Sequence, residues 1–428
     1  MWKSGRSQGA KSRQTGAYGL TVGWEHRKRQ SEEKCMSPEI HMLYEINNHA
    51  YRLYFNDLAI LPHKKIAYGS SGGFNGLFEI VLETGKCKYI GMFPNEEFSQ
   101  EYIHLAAVYC QQKAFFFPQR GKYISVYDID KQKVIQIDFR ECEYPHYSRN
   151  YKIGQVFAYD DKVFAVGATY PYVLIIDADT LETRFIPIET EERPIFFRTG
   201  GCQINGHYYI PSLKGGIILE IDPATESVKS HFWGTEEDGA WSMAFDGEEF
   251  WLTPHAEGEG FRVWEPGKGI IQEIADFPEG YQAGKVPYVH CFCVGKNILC
   301  PPFDANMMIT LNIEERKIEK VEQSFFLGGK ISGISFRIDS FVFFKLRLGE
   351  ESWYAQTGRD FVVDMRTMEQ IDYSFVFHEN REQFSQDVIT EKILKSPLWK
   401  KNMIENEKMG LKEFLAAISR GRTIFQGI

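Results

Sequence analysis

The feature that most constrains this chain is an internal repeat. Seven segments share an apolar strand-like run followed by an acidic or polar residue and a tight turn. They lie at residues 77–86, 124–133, 173–182, 218–227, 261–270, 308–317 and 361–370. Aligned at their turns, they recur at steps of 43 to 52 residues. Self-similarity with a period in the forties to fifty is typical of β-propellers, in which each repeat forms one four-stranded blade.

Each repeat also contains four strand-like runs. In residues 152–187 the runs are separated by a turn at Asp160-Asp161, a loop at Tyr170-Pro171 and a turn at Asp179-Thr180. Other repeats carry Asn-Gly or Asp-Gly between their first two runs, and these pairs supply the positive φ values that two-residue hairpins need. The sequence therefore predicts an all-β fold, a β-propeller of about seven four-stranded blades, over residues 42–378.

The blade number and the ring closure are the open points of this prediction. Six or eight blades are alternatives, because the first repeat, about 42–93, is the least regular. The segment at 42–46 is predicted to pair with the last blade, which would cover two exposed strand edges.

The two ends of the chain differ from the repeat region. Residues 1–41 carry eight Lys or Arg against four Glu and have no apolar core of a signal peptide, so they are predicted to form a disordered basic leader. A translation start at Met36 or Met42 would explain the same composition. Residues 379–428 are predicted to form a short helical C-terminal tail, because Leu411, Phe414, Leu415 and Ile418 follow helical spacing. This stripe would pack on the propeller or dock a partner.

Charge and composition exclude several classes of function. The whole chain has a net charge of −9, so the part beyond the basic leader carries −13, which argues against a nucleic-acid partner. No run of 18 apolar residues predicts a membrane span. The eight cysteines contain no CxxC pair, which favours buried free thiols in a reducing compartment and hence a cytoplasmic location.

The turns at residues 176–183 and 220–227 carry a resemblance to known proteins. These turns, with sequences IDADTLET and EIDPATES, resemble those of bacterial seven-bladed propellers of the YVTN, NHL and lactonase-like group. The resemblance covers about residues 42–378 and implies the fold. That group includes binding scaffolds, lactonases and a lyase that uses two histidines and a glutamate, and no catalytic motif of these can be matched here residue by residue. The GH…WD pairing of WD40 proteins and the in-phase Gly-Gly pairs of kelch proteins are both missing.

The loops of a propeller that vary most are the predicted ligand site. Loops between second and third strands, and those between blades, lie on one face and are free to vary on a rigid scaffold. Their polar and aromatic residues converge on one rim, and aromatic faces suit sugar or peptide stacking. The predicted ligand-binding residues are Arg120, Lys122, Arg198, Lys214, Trp241, Tyr288 and Asp304.

Histidines and carboxylates near one another in the fifth and sixth repeats predict a second kind of site. His255, Glu257 and Glu259 share one loop, and His290 and Asp304 belong to the next repeat. Imidazole and carboxylate groups bind divalent metals or act as an acid–base pair. His255, His290 and Glu257 are therefore the candidates for catalytic residues and for metal ligands, and a divalent metal is the cofactor they suggest. No HExxH, GxSxG or phosphate-loop motif assigns a reaction.

These features are compatible with three hypotheses of function. The first is a binding module for a small molecule, carbohydrate or peptide on the loop-rich face. The second is a scaffold that recruits proteins through the propeller and its helical tail. The third is a metal-assisted lyase or hydrolase with the His/Glu cluster at the channel mouth. The sequence ranks them in this order and names neither the ligand nor an oligomeric state.

Overall fold

The fold is an all-β propeller of seven sheets. The computed structural model describes residues 52–61, 64–98, 100–139, 146–148, 151–198, 200–321, 330–338, 341–347, 360–364 and 369–389. The basic leader, the segment at 42–46 and the stripe at 411–418 lie outside the described residues. Within them no helix is long and apolar enough to cross a membrane.

The sheets follow the repeats in chain order, one blade to each repeat. Blade 1 contains β2 (Phe55–Leu61), β3 (Ile66–Ser71), β4 (Leu77–Val81) and β5 (Lys86–Gly91). Blade 2 contains β6 (His104–Cys110), β7 (Lys113–Pro118), β8 (Tyr123–Asp128) and β9 (Lys133–Asp138). Blade 3 contains β10 (Ile153–Tyr159), β11 (Lys162–Gly167), β12 (Tyr172–Asp177) and β13 (Thr183–Pro187). Blade 4 contains β14 (Cys202–Ile204), β15 (His207–Pro211), β16 (Ile217–Asp222) and β17 (Ser227–Phe232).

The last three blades are built in the same way. Blade 5 contains β18 (Met243–Phe245), β19 (Phe250–Leu252), β20 (Phe261–Glu265) and β21 (Gly269–Ile274). Blade 6 contains β22 (Phe292–Val294), β23 (Asn297–Cys300), β24 (Ile309–Asn312) and β25 (Lys317–Lys320). Blade 7 contains β26 (Lys330–Ile338), β27 (Phe341–Arg347), β28 (Asp360–Asp364) and β29 (Glu369–Asp372). The seven repeated segments of the sequence contain the third strands of these blades, which confirms the prediction of about seven four-stranded blades.

The first strand of each blade faces the centre of the ring. The side chain of Asn56 on β2 donates to the carbonyl of His104 on β6 at 2.9 Å, and Asp57 accepts from the N–H of Ala107 at 2.8 Å. The first strands of blades 4 and 5, of blades 5 and 6, and of blades 7 and 1 are also in contact. These strands therefore surround a common central channel.

The ring is closed in blade 1 by the end of the chain. Strand β30 (Phe375–Glu379) pairs in parallel with β5 and antiparallel with β1 (Arg52–Leu53). This produces a six-stranded sheet in the order β1-β30-β5-β4-β3-β2, whose two edges come from one stretch of chain, residues 52–61. The irregularity of the first repeat thus reflects two additional strands rather than a missing blade.

Helix α1 (Arg381–Ile389) comes after β30 and is anchored by aromatic packing. Phe384 is fully buried, and its ring centroid lies 5.1 Å from that of Tyr89 and 5.4 Å from that of Phe377. The carboxylate of Asp387 accepts a hydrogen bond from the Tyr89 hydroxyl at 2.9 Å. A short helix at the end of the propeller is therefore part of the folded unit.

Strand direction sorts the loops onto two faces. In blades 2 to 6 the turns between first and second strands and between third and fourth strands are short, and lie on one face. Residues in those turns take positive φ, for example Asp160 at 52° and Leu181 at 62°. The opposite face, called here the long-loop face, carries the loops between second and third strands and the connections between blades. Long loops on a rigid scaffold are where binding residues are most often found.

Candidate functional site

Three segments that lead into neighbouring blades meet at the channel on the long-loop face. The hydroxyl of Ser242, just before β18, donates to the carbonyl of Gly200 at 3.4 Å. The same hydroxyl accepts a hydrogen bond from the N–H of Cys291, just before β22, at 3.3 Å. The segments before β14, β18 and β22 are thereby joined through one serine.

The close approach of two of these segments depends on glycine. A Cβ atom at Gly200 would lie 2.4 Å from the carbonyl oxygen of Trp241. Only a residue without a side chain fits there, because real Cβ atoms do not approach a backbone oxygen so closely. The contact brings Trp241 next to the segment that carries Arg198.

Arg198 is the main cation of this region. Its side chain is half-buried, and its guanidinium carbon lies 5.8 Å from the ring centroid of Tyr151 and 5.8 Å from that of Phe196. Among the described residues it has no carboxylate partner and no hydrogen bond. Burial lowers the pKa of Arg198, because its packed surroundings solvate the charge less well than water does. Cation–π contacts offset only part of such a desolvation cost.

His290 and Trp241 complete the group, which we call the mouth cluster: Arg198, Trp241 and His290. Burial, and then the positive charge of Arg198, lower the pKa of His290 to about 4. The imidazole is therefore neutral near pH 7. The indole Nε1 of Trp241 is buried and has no hydrogen-bond partner within the described part of the chain. Arg198 and Trp241, two donors without acceptors among the described residues, thus lie in segments that meet at Gly200.

A second cationic group lies on the same face at blades 1 to 3. The guanidinium carbon of Arg120 lies 5.5 Å from the ring centroid of Tyr102, which in turn lies 5.9 Å from that of Tyr54. The buried ammonium of Lys152 donates to the carbonyl of Gly121 at 2.6 Å. The cations of Arg120 and Lys152 therefore lie on this part of the long-loop face.

The side chain of Glu96 supports the loop that carries Arg120 and Lys122. One carboxylate oxygen of Glu96 accepts from the N–H of Lys122 at 2.6 Å, and the other oxygen has no partner among the described groups. Burial raises the pKa of Glu96, against the opposing effect of its hydrogen bonds and of Lys122 and Lys152. The side chain of Lys122 itself is exposed.

The predicted metal-binding and catalytic residues are not brought into one group. The N–H of His255 donates to Glu259 at 2.9 Å, and burial lowers the pKa of its imidazole. Glu257 is exposed, and His290 lies with Arg198 instead. The described residues contain no group of three His, Cys, Asp or Glu arranged to hold a metal ion.

Arg262 occupies the centre of the region around His255. Its guanidinium nitrogens lie 3.3 Å from a carboxylate oxygen of Glu259, 3.7 Å from one of Asp238 and 3.9 Å from one of Glu273. Its guanidinium carbon also lies 5.6 Å from the ring centroid of Trp233. The carboxylates that could have held a metal therefore already face a cation.

The remaining predicted ligand residues lie in different settings. Tyr288 is fully buried, its hydroxyl donates to the carbonyl of Met307 at 3.1 Å, and its ring faces the core rather than solvent. Lys214 is exposed, and Asp304 is half-buried in the loop before β24. Of the predicted set, Arg198, Trp241 and His290 lie in three segments joined through Ser242 and Gly200, and Arg120 and Lys122 share another loop.

His104 and His290, the two histidines within apolar stretches of the sequence, lie in different environments. His104 is buried, with its ring nitrogens 2.8 Å from the Ser70 hydroxyl and 3.2 Å from the Ser125 hydroxyl, and burial lowers its pKa to about 3. It is a hydrogen-bonded core residue. His290 has no such partner among the described residues, and sequence context alone does not separate the two.

Sequence reasoning missed Tyr151, Phe196 and Lys152. Each lies close before a first strand, as Arg198, Trp241 and His290 do. Position relative to the start of the first strand was the signal that could have found them, because all of these residues lie in segments that lead into first strands.

Comparison with known proteins supports the fold and goes no further. No family model and no curated protein matches the chain. Virginiamycin B lyase from Staphylococcus aureus is similar in structure with a TM-score of 0.50 and 13% sequence identity, over 70% of this chain and 94% of that one. A streptogramin B lyase structure has a TM-score of 0.47 with 13% identity over 70% and 94%, and YCF48 from Cyanidioschyzon merolae has 0.48 with 10% over 70% and 94%. At such identities the likeness concerns the propeller architecture alone.

Proposed function

We propose that this propeller is a binding module that holds an anionic small molecule, or an anionic group of a carbohydrate or peptide, at its channel mouth. The observation that carries the proposal is Arg198. A poorly solvated guanidinium without a carboxylate partner is costly to the fold unless it serves a ligand. A carboxylate, phosphate or sulfate would supply the missing counter-charge.

The neighbours of Arg198 fit that role. The buried indole N–H of Trp241, which has no acceptor among the described residues, offers a second donor to an oxyanion. Tyr151 and Phe196 lie against the guanidinium, with their ring centroids 5.1 Å apart, and hold it in place. Planar guanidinium and aromatic side chains together are common anchors of bound ligands.

No observation favours the other two functions. A metal-assisted lyase or hydrolase would need His255, Glu257 and His290 on one ion, whereas Arg262 and Arg198 lie beside the two histidines. A scaffold that uses the residues after 389 depends on a segment outside the described part of the chain. Both remain hypotheses, and the anion site is the one that the geometry supports best.

The test is a calorimetric titration with sulfate, at pH 7.5 and low ionic strength, of the full chain and two variants. Arg198→Met is expected to weaken sulfate binding at least tenfold, because the loss of a charged hydrogen-bonding partner costs more than about 1.4 kcal/mol. Lys214→Met is the matched control, since Lys214 is an exposed cation on the same face. Equal loss in both variants, or none in Arg198→Met, would show that sulfate binds by general surface charge or elsewhere.

A further inference from the structure

The mouth cluster pairs a permanent cation with a neutral imidazole, and this pairing bears on how the proposed site is regulated. Building on the proposed function, we infer that an anion enters this site together with one proton, which His290 takes up. The protein then binds its ligand more tightly as the pH falls.

The segment that carries His290 lies beside the segment that carries Arg198, the anion anchor. Cys291 donates its N–H to Ser242, whose hydroxyl in turn donates to Gly200, so residues 290 and 198 flank one short hydrogen-bonded path. The imidazole has no hydrogen bond with any described residue. An oxyanion seated on Arg198 would give it an acceptor.

The groups around His290 make it respond to the ligand. From the segment before β14 it faces Arg198, and nearby lie the thiols of Cys202 on that side and Cys291 on its own segment. Burial raises the pKa of both thiols to about 12, so they stay neutral. The segment before β18 contributes Trp241 and Ser242, which carry no charge. No carboxylate within the described residues acts on His290.

In the free protein two effects therefore oppose protonation. Burial disfavours the imidazolium, and Arg198 repels it. A bound anion offsets the charge of Arg198 and attracts the imidazolium, which reverses the second effect. Neutral histidine, a proton and the anion combine to an imidazolium–anion pair, and release of the anion returns the proton to solvent.

The pH dependence of sulfate affinity follows from the difference between the pKa of His290 in the free protein and its pKa in the complex. The free pKa is about 4 and the ordinary value is 6.5. If anion binding restores the ordinary value, sulfate binds about thirtyfold more tightly at pH 5 than at pH 7.5, since each shifted pKa unit is a factor of ten. The sign is fixed by the direction of the shift, because the bound state holds the extra proton and is favoured by acid.

Sulfate is the probe, because it does not titrate between pH 5 and 7.5. Calorimetric titrations of the full chain near pH 5.3, in two buffers with different ionisation enthalpies, give the number of protons taken up on binding. We expect a value close to one for the wild type. His290→Asn and His290→Gln should bind sulfate without proton uptake and with one affinity across the pH range. His255→Asn, the other half-buried histidine on this face, should keep the pH dependence.

The outcomes separate this inference from the proposed function. Sulfate binding that depends on Arg198 but takes up no proton overturns the inference and leaves the binding site intact. Proton uptake that persists in both His290 variants assigns the proton to another group and overturns it as well. A wild type that binds no sulfate at any pH in the range contradicts the proposed function itself.

Discussion

Two arginines on the long-loop face have similar surroundings and opposite charge balance. Arg198 and Arg262 each lie over aromatic rings, and each acts electrostatically on a half-buried histidine, His290 or His255. Arg262 is also surrounded by the carboxylates of Asp238, Glu259 and Glu273, whereas Arg198 has none among the described residues. Carboxylates of the fold therefore balance the charge of Arg262, whereas no described carboxylate balances the charge of Arg198.

This difference separates a structural cluster from a binding site. Sequence reasoning placed the candidate metal site at His255 because histidine and acidic residues are dense there. The acidic residues there instead surround Arg262, which holds the loop before β20 against the connection between blades 4 and 5. The sparser mouth cluster is the better candidate, because its donors lack acceptors within the described part of the chain.

The largest expected difference between the two arginines is in the free energy of unfolding after each is replaced by methionine. Arg262→Met should lower the free energy of unfolding by about 1–2 kcal/mol, because it leaves three partly exposed carboxylates close together without their cation. Arg198→Met should leave it unchanged or raise it by up to about 1 kcal/mol, because an unpaired, desolvated charge is removed. Urea denaturation at pH 7.5 measures both. Destabilisation of similar size in the two variants would mean that Arg198 has a structural partner.

A second substitution tests whether charge balance alone separates the two regions. His290→Glu would place a carboxylate beside Arg198 and make the mouth cluster resemble the surroundings of Arg262. We expect sulfate binding at pH 7.5 to fall at least tenfold while the protein keeps its thermal midpoint, because the new carboxylate takes the place of the ligand. His290→Gln is the neutral control. Retained sulfate affinity in His290→Glu would place the anion away from Arg198.

The smallest expected effect concerns the two tryptophans. The indole nitrogens of Trp233, whose ring lies beside Arg262, and of Trp241, in the segment that meets Gly200, are both buried without a partner among the described residues. Trp241→Phe should weaken sulfate binding about fivefold, which corresponds to about 1 kcal/mol for one hydrogen bond, and Trp233→Phe should leave it unchanged. The same titration measures both. An equal response would show that the indole N–H of Trp241 does not reach the ligand.

The architecture was predictable because each blade repeats one local pattern. The seven repeated segments became β4, β8, β12, β16, β20, β24 and β28 with their turns, since the turn residues and the apolar runs act over a few positions. Closure was not predictable in this way. The pairing of β30 with β5 joins residues nearly three hundred positions apart, and nothing local in residues 375–379 marks their partner.

The site was predictable only in part. The loop-rich face and Arg198, Trp241 and His290 were all named from the sequence, but in separate sets and with separate roles. What joins them is the Ser242 hydroxyl and the close approach at Gly200, and neither a serine nor a glycine stands out in a chain that has 37 glycines. Tyr288 was predicted to contact a ligand but is fully buried, because an aromatic residue beside a polar loop can equally fill the core.

The closure of blade 1 has a mechanical consequence. Strand β30 is clasped between β5 on one side and β1 on the other, and both belong to the opposite end of the folded unit. Tension applied along β30 from α1 would load the two ladders in shear, so several hydrogen bonds would have to break together. A propeller pulled from that end should resist until both ladders of β30 break, and its ring should then open in a single step.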